Sequence, residues 1–239
     1  MTAIKSHRQY YGFTLVELAI VLTIVGLLIA MFLTPLTVQR EIRGRVETQV
    51  LLEQARDALI GYAVANRHLP CSDTDEIPDG VENRNAGGDC VNDEGVLPWN
   101  TLGIDRVDAW GHYFRYSADT TFTNSTTLFT IADAETASGI QINGESGALV
   151  STNSRPAALI LSHGQNGLGA ISTIQATPDN QLPAPAVGQV DELENTDGNL
   201  IFVSHVPTPK GSANEFDDLL IWLSPKVLIN RMVVAGRLP

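Results

Sequence analysis

The sequence predicts an α+β chain: a long amino-terminal helix, a series of short strands and a short carboxy-terminal helix. Three observations predict it. Residues 13–33 form a largely apolar run with Glu17 as its only charge, and apolar positions then recur at three- and four-residue steps as far as Tyr62. From residue 113 onward, short apolar runs alternate with Gly-, Asn- and Pro-rich breaks. The last stretch carries its own helix start and stop residues.

The first run, FTLVELAIVLTIVGLLIAMFL, would span about 30 Å as a helix, the thickness of a bilayer core. A short basic segment with Lys5 and Arg8 precedes it. A cleaved secretory signal would have a shorter apolar region and a small-x-small site, and Ala30-Met31-Phe32 is not one. An ordinary signal anchor explains the length and the basic start but not Glu17. A carboxylate in hydrocarbon costs a few kcal/mol and marks function by default.

Gly12-Phe13-Thr14-Leu15-Val16-Glu17 resembles the cleavage and methylation signal of type IV pilins and type II secretion pseudopilins. The resemblance implies a leader, residues 1–12, cut after Gly12 by a prepilin peptidase that then methylates Phe13. It places Glu17 fifth in the mature chain, where the family carries its assembly glutamate. Pairing that carboxylate with the amino terminus of an adjacent subunit would remove the penalty of burying it. The alternative is a Glu17 that snorkels to the headgroups from its place near the helix start. The resemblance further implies a pilin-like fold, with the long helix packed on a small antiparallel sheet. It makes residues 13–34 the transmembrane part of the helix, 35–66 its periplasmic part and 67–239 a periplasmic globular domain. Arg40, Arg43 and Arg45 lie beyond the apolar run, so charge alone does not orient it. The leader and the cysteines do: single-pass in the inner membrane, amino terminus cytoplasmic before cleavage.

Past the apolar run, Val38, Ile42, Val46, Leu52, Ala55, Leu59 and Tyr62 form a face suited to packing, with Arg43, Glu47, Glu53 and Arg56 toward solvent. Pro35 removes a backbone hydrogen bond and is expected to kink the helix. The helix is expected to end near Asn66, before the Pro70-Cys71 turn.

Residues 67–107 are polar and glycine-rich and hold both cysteines, Cys71 and Cys90. Their spacing is no zinc pattern, which leaves two free thiols or one disulfide. A cross-link would stabilise so polar a loop by roughly 3 kcal/mol, which favours the disulfide and with it an oxidising compartment. Asp108-Ala109-Trp110-Gly111-His112-Tyr113 resembles the D-P-W-G-x-x-Y segment of major pseudopilins, with Ala109 in place of proline. It reads as a turn at Gly111 leading into an aromatic strand. Further strands are expected at 127–132, 157–162, 200–205 and 217–223. The final helix is expected to have Ser224 as cap, Pro225 as first residue and Gly236 as stop.

A second partial match joins Ser162-His163-Gly164-Gln165-Asn166-Gly167-Leu168-Gly169 to Asp217, Asp218 and Trp222. In major pseudopilins a glycine-rich loop leading to an Asp-containing segment binds calcium, so Asp217 and Asp218 are candidate metal ligands and calcium the one implied ion. A long stretch of chain separates the two parts here, unlike the family's compact loop. The alternative is that both are exposed or capping carboxylates. Asp73, Asp75 and Asp79 form another acidic group, but Pro78 breaks any EF-hand pattern.

No Walker loop, nucleophile elbow or HExxH helix occurs, and Gly164, Gly167 and Gly169 run in the wrong order for a dinucleotide fingerprint. An enzyme is not expected. A net charge of -12 argues against nucleic acid as a partner. The preferred reading is a structural or accessory subunit of a type II secretion pseudopilus, with prepilin peptidase, other pilin-like subunits, an assembly platform and the bilayer as partners. A minor type IV pilin for adhesion, motility or DNA uptake is the runner-up, and a membrane-tethered periplasmic binding module is the rival from another class.

Overall fold

A computed structural model describes Gly12 and residues 14–135, 139–150, 155–173 and 181–238, with only the backbone of residues 30–38 and Ser146. The leader residues 1–11 and Phe13 lie outside these. Helix α1 runs over Leu15–Asn66, and its helical assignment is unbroken through Pro35. Among the described residues no helix is long and apolar enough to cross a membrane; the described side chains of the apolar run stop at Ile29. The chain divides into two compact units, one ending at Arg43 and the other starting at Gly44.

In the second unit α1 buries Gly44, Thr48, Leu52, Ala55, Leu59 and Ala63, a stripe stepping by three and four. This corrects the expected face at its start. Ile42 and Val46 are 56% and 60% exposed, because the stripe turns through the small residues Gly44 and Thr48 instead. Arg67 ends the helix in the left-handed conformation, φ 71°, and its N–H donates to the Ala63 carbonyl at 2.7 Å.

The helix packs on a four-stranded antiparallel sheet of order β1-β2-β4-β6, formed by β1 (Glu94–Val96), β2 (Arg115–Ala118), β4 (Ala158–Ser162) and β6 (Leu219–Leu223). Two further strands, β3 (Gln141–Asn143) and β5 (Ile201–Val203), pair in parallel as a separate ribbon. Short helices α2 (Trp99–Leu102), α3 (Thr120–Thr123) and α4 (Val190–Glu194) sit between strands, and α5 (Pro225–Val234) closes the chain. This is the α+β, pilin-like arrangement of long helix, small antiparallel sheet and short final helix.

Strand β4 is buried at all five positions because both faces of the sheet are covered. Ala158 and Ile160 join Leu52, Ala55, Leu59, Tyr116 and Met232 in one core. Leu159 and Leu161 join Ile140, Ile142 and Phe202 in a second core. A continuous apolar run in the sequence is what two-sided burial requires. The run 127–132 is not a strand: Phe129 plugs the main core, its ring centroid 5.1 Å from that of Phe122 and tilted by 59°, and residues Ile131–Glu135 form a 3-10 turn. Pro225 begins α5 and Gly236 ends it with φ 68°, its N–H donating to the Val233 carbonyl. Ser224 occupies the cap position, but its side chain makes no cap bond; its carbonyl accepts from Val227 and Leu228.

Cys71 and Cys90 are joined as a disulfide. Around it, Glu82 accepts from the Cys71 N–H and from the Tyr62 hydroxyl, both at 2.8 Å. Arg84 donates to Glu82 and to the carbonyls of Gly88 and Thr123. The polar loop is thus held by the disulfide and a network of hydrogen bonds.

Candidate functional site

The amino-terminal site begins at the exposed Gly12. Thr14 and Glu17 bond reciprocally: the Thr14 N–H and hydroxyl both donate to Glu17 Oε2 at 2.9 Å, and the Glu17 N–H donates to the Thr14 hydroxyl at 3.2 Å. This is a capping box, which satisfies donors that the first helical turn leaves unpaired. The sequence signal for it is the spacing Thr14-x-x-Glu17 ahead of an apolar run. Glu17 therefore has a partner within its own chain.

The second site is built around the sheet end of β4 and β6. Asp108 begins it. Its Oδ1 accepts the N–H groups of Trp110 and His112, each at 2.9 Å, and its Oδ2 accepts the Ser162 hydroxyl at 2.7 Å. The turn so formed docks on α1: Ala109 N–H donates to Thr48 Oγ1 at 3.2 Å. The Trp110 ring covers Gly44 so closely that a Cβ there would stand 2.9 Å from it. The Asp-x-Trp-Gly segment is thus a clamp between strand β4 and the helix.

Beyond Ser162 the chain bends at Gly164, whose φ of 59° suits glycine. A Cβ there would lie 2.3 Å from Asp217 Oδ1, so the loop closes directly over that carboxylate. Asn166 N–H donates to Asp217 Oδ2 at 2.9 Å. The Asn166 side chain donates to Glu192 of α4 at 2.8 Å, and Glu192 Oε1 also accepts the Asp217 N–H at 2.9 Å. Asn195 holds Asp218, donating to its Oδ2 at 2.7 Å. Glu192, Asp217 and Asp218 each offer an oxygen within 4.8 Å of the others, and all three are buried.

The electrostatics are those of crowded, desolvated acids. Burial pushes Glu192 up to about 7 and Asp218 well above the usual carboxylate range, while burial takes His163 down to about 3. Among the described residues, Asp217 Oδ1 and Asp218 Oδ1 have no hydrogen-bond partner, and His163 Nδ1 lies 3.7 Å from the latter. Two orphaned carboxylate oxygens beside a third carboxylate fit a hard divalent cation, which would draw the proton off Glu192 as it bound.

The structure brings Asp217 together with the loop at 162–169 despite their separation in sequence. It excludes the reading of Asp217 and Asp218 as exposed groups: they are 6% and 4% accessible. Glu192 was missed, because its Asp191-Glu192-Leu193-Glu194 surroundings look like any solvated acidic turn. Asp73, by contrast, spends both oxygens on the N–H groups of Asp75 and Gly80, closing its own loop.

A family profile described as a prokaryotic N-terminal methylation motif matches residues 7–33. No curated protein and no solved structure matches the chain. The amino-terminal segment carries a type IV pilin-like prepilin signal, of the kind that a prepilin peptidase processes.

Proposed function

We propose that the chain is a structural or accessory subunit of a type II secretion pseudopilus, held in the inner membrane by residues 13–34 with its globular domain in the periplasm. The observation that carries this reading is the motif match over 7–33, with Gly12 ahead of the apolar run and Glu17 as the sole charge within it. A peptidase cuts after Gly12 and methylates Phe13. During assembly Glu17 exchanges its Thr14 partners for the ammonium of a neighbouring Phe13, so the capping box shelters the carboxylate until that neighbour arrives. Mass spectrometry of the native chain tests processing: N-methyl-phenylalanine at residue 13 is expected, and a chain starting at Met1 sinks the reading. Glu17→Ala should insert in the membrane normally and fail to enter filaments.

The Asp108-Trp110-Gly111 clamp and the Asp217-Asp218-Trp222 end favour a pseudopilin over a minor type IV pilin. Deletion separates the two, since loss of protein export supports the first and loss of a surface pilus the second. Calcium at Glu192, Asp217 and Asp218 belongs to the same proposal, as a cation that locks the loop at 162–169 onto β6. Calorimetry with millimolar calcium should show heat and a raised melting temperature; neither signal would end the calcium assignment.

A further inference from the structure

The two edges of the main sheet carry opposite features. Beyond β1, Asp73 occupies the outer edge through paired backbone bonds with Val96, at 2.9 and 2.8 Å. The chain then loops out through Asp75, Glu76, Ile77, Pro78 and Asp79. Asp73 fixes that loop with its two carboxylate bonds, Pro78 is buried, and the Trp99 ring packs against Gly80. Ile77 is left 67% exposed at the tip, between the exposed acids Glu76 and Asp79. An apolar side chain held outward on a rigid, bonded loop is a knob without a hole in its own domain.

At the other edge, no strand pairs with the outer side of β6 among the described residues. A groove of about 580 Å³ runs there between α1, β6 and α5. Ile60, Trp222 and Val227 supply apolar lining, with Trp222 37% and Val227 48% exposed. Arg56 and Arg231 stand on its rim, and Asp57, 3.6 Å from Arg56, offsets that charge in part.

We propose that the groove beside β6 receives the Glu76-Ile77-Pro78-Asp79 loop of a second copy of this chain. Ile77 fills the apolar lining, and Glu76 and Asp79 face Arg231 and Arg56. The size of the groove, the exposed isoleucine and the opposed charges point to the same occupant. Knob and groove lie on opposite edges of one sheet, so the contact is heterologous: each joined pair leaves a free loop at one end and a free groove at the other, to which a further copy can add. The proposal rests on the filament reading above and specifies which surfaces of the globular domain meet in it.

The test uses the full-length chain in the membranes of producing cells, with a photo-activatable residue at Ile77 and a second chain carrying it at the exposed Val46 of α1. Cross-links from residue 77 to peptides within 219–231 of another copy are expected. Their yield should fall about tenfold in Arg56→Glu with Arg231→Glu, and return to within about twofold when Glu76→Arg and Asp79→Arg are added. Resistance of the globular domain to protease, equal to that of the parent in each variant, establishes that the domain has folded. Cross-links from residue 77 to other peptides, or a yield indifferent to charge reversal, overturn the contact. Cross-links from residue 46 without any from residue 77 overturn it while leaving the filament reading standing. Silence at both positions removes both.

Discussion

The two ends of helix α1 are made of similar residues and live in different surroundings. From Leu15 to Ile29 the large apolar side chains are 43% to 86% exposed, whereas Leu52, Ala55, Leu59 and Ala63 are at most 1% exposed. The difference teaches that hydrophobicity alone does not say what a helix is for. The far end finds its partner in its own chain, in the sheet and α5, while the described side chains of the near end are exposed. Glu17 and Glu192 repeat the contrast in charge. Glu17 is exposed and capped by Thr14, while Glu192 is buried against two other acids.

That contrast breaks most sharply at Leu59. Leu59→Ala should lower stability by about 2–5 kcal/mol, because a fully buried position leaves a cavity. Leu22→Ala, in the exposed half, should leave the melting of the globular domain within about 0.5 kcal/mol. Equal losses at both would erase the distinction. Next, Cys71→Ser with Cys90→Ser should cost about 3 kcal/mol in chemical denaturation, the value of a constraint on the polar loop.

The charge contrast is sharpened by pH. Glu192 titrates near 7 in the fold against 4.5 in the unfolded chain, so the folded state binds the extra proton. Its contribution to stability is complete below about pH 4.5 and is lost as pH rises through 7. Glu192→Gln mimics the protonated form. With calcium chelated, the variant should match the parent at pH 4.5 and exceed it at pH 8 by up to about 3 kcal/mol. Comparing the two chains cancels His163, whose depressed pKa works in the opposite direction as pH falls below 6.5. Parallel melting curves across that range would remove Glu192 from the account.

Gly44→Val tests where the buried stripe begins. Its side chain would collide with the Trp110 ring, costing about 1–3 kcal/mol and shifting the tryptophan emission. Smallest is Arg67→Gly, at the left-handed end of α1, which should raise stability by under about 1 kcal/mol.

Much of the fold was legible because local chemistry dictates it. Asn66 ends the first helix where expected, Pro225 and Gly236 bound the last, and the strand expected at 157–162 is β4, Ala158–Ser162. Strands β1 and β3 were not legible. Each has three residues, and β1 lies within a polar loop, too short for any periodicity to register. Residues 127–132 misled for the reverse reason: Phe129 is buried as a single plug, not as one side of a pleat.

By itself, then, the amino-acid order determined the processing motif, the placing of Glu17 and the helix boundaries, since each rests on residues within a few positions of one another. Only the tertiary structure could decide that Gly44 and Thr48 carry the buried stripe, that Glu192 joins Asp217 and Asp218, and that Ile77 stands opposite in character to the groove by β6. Those groupings come from loops closing over long separations, and their cost and gain depend on what is desolvated together, which no local pattern encodes.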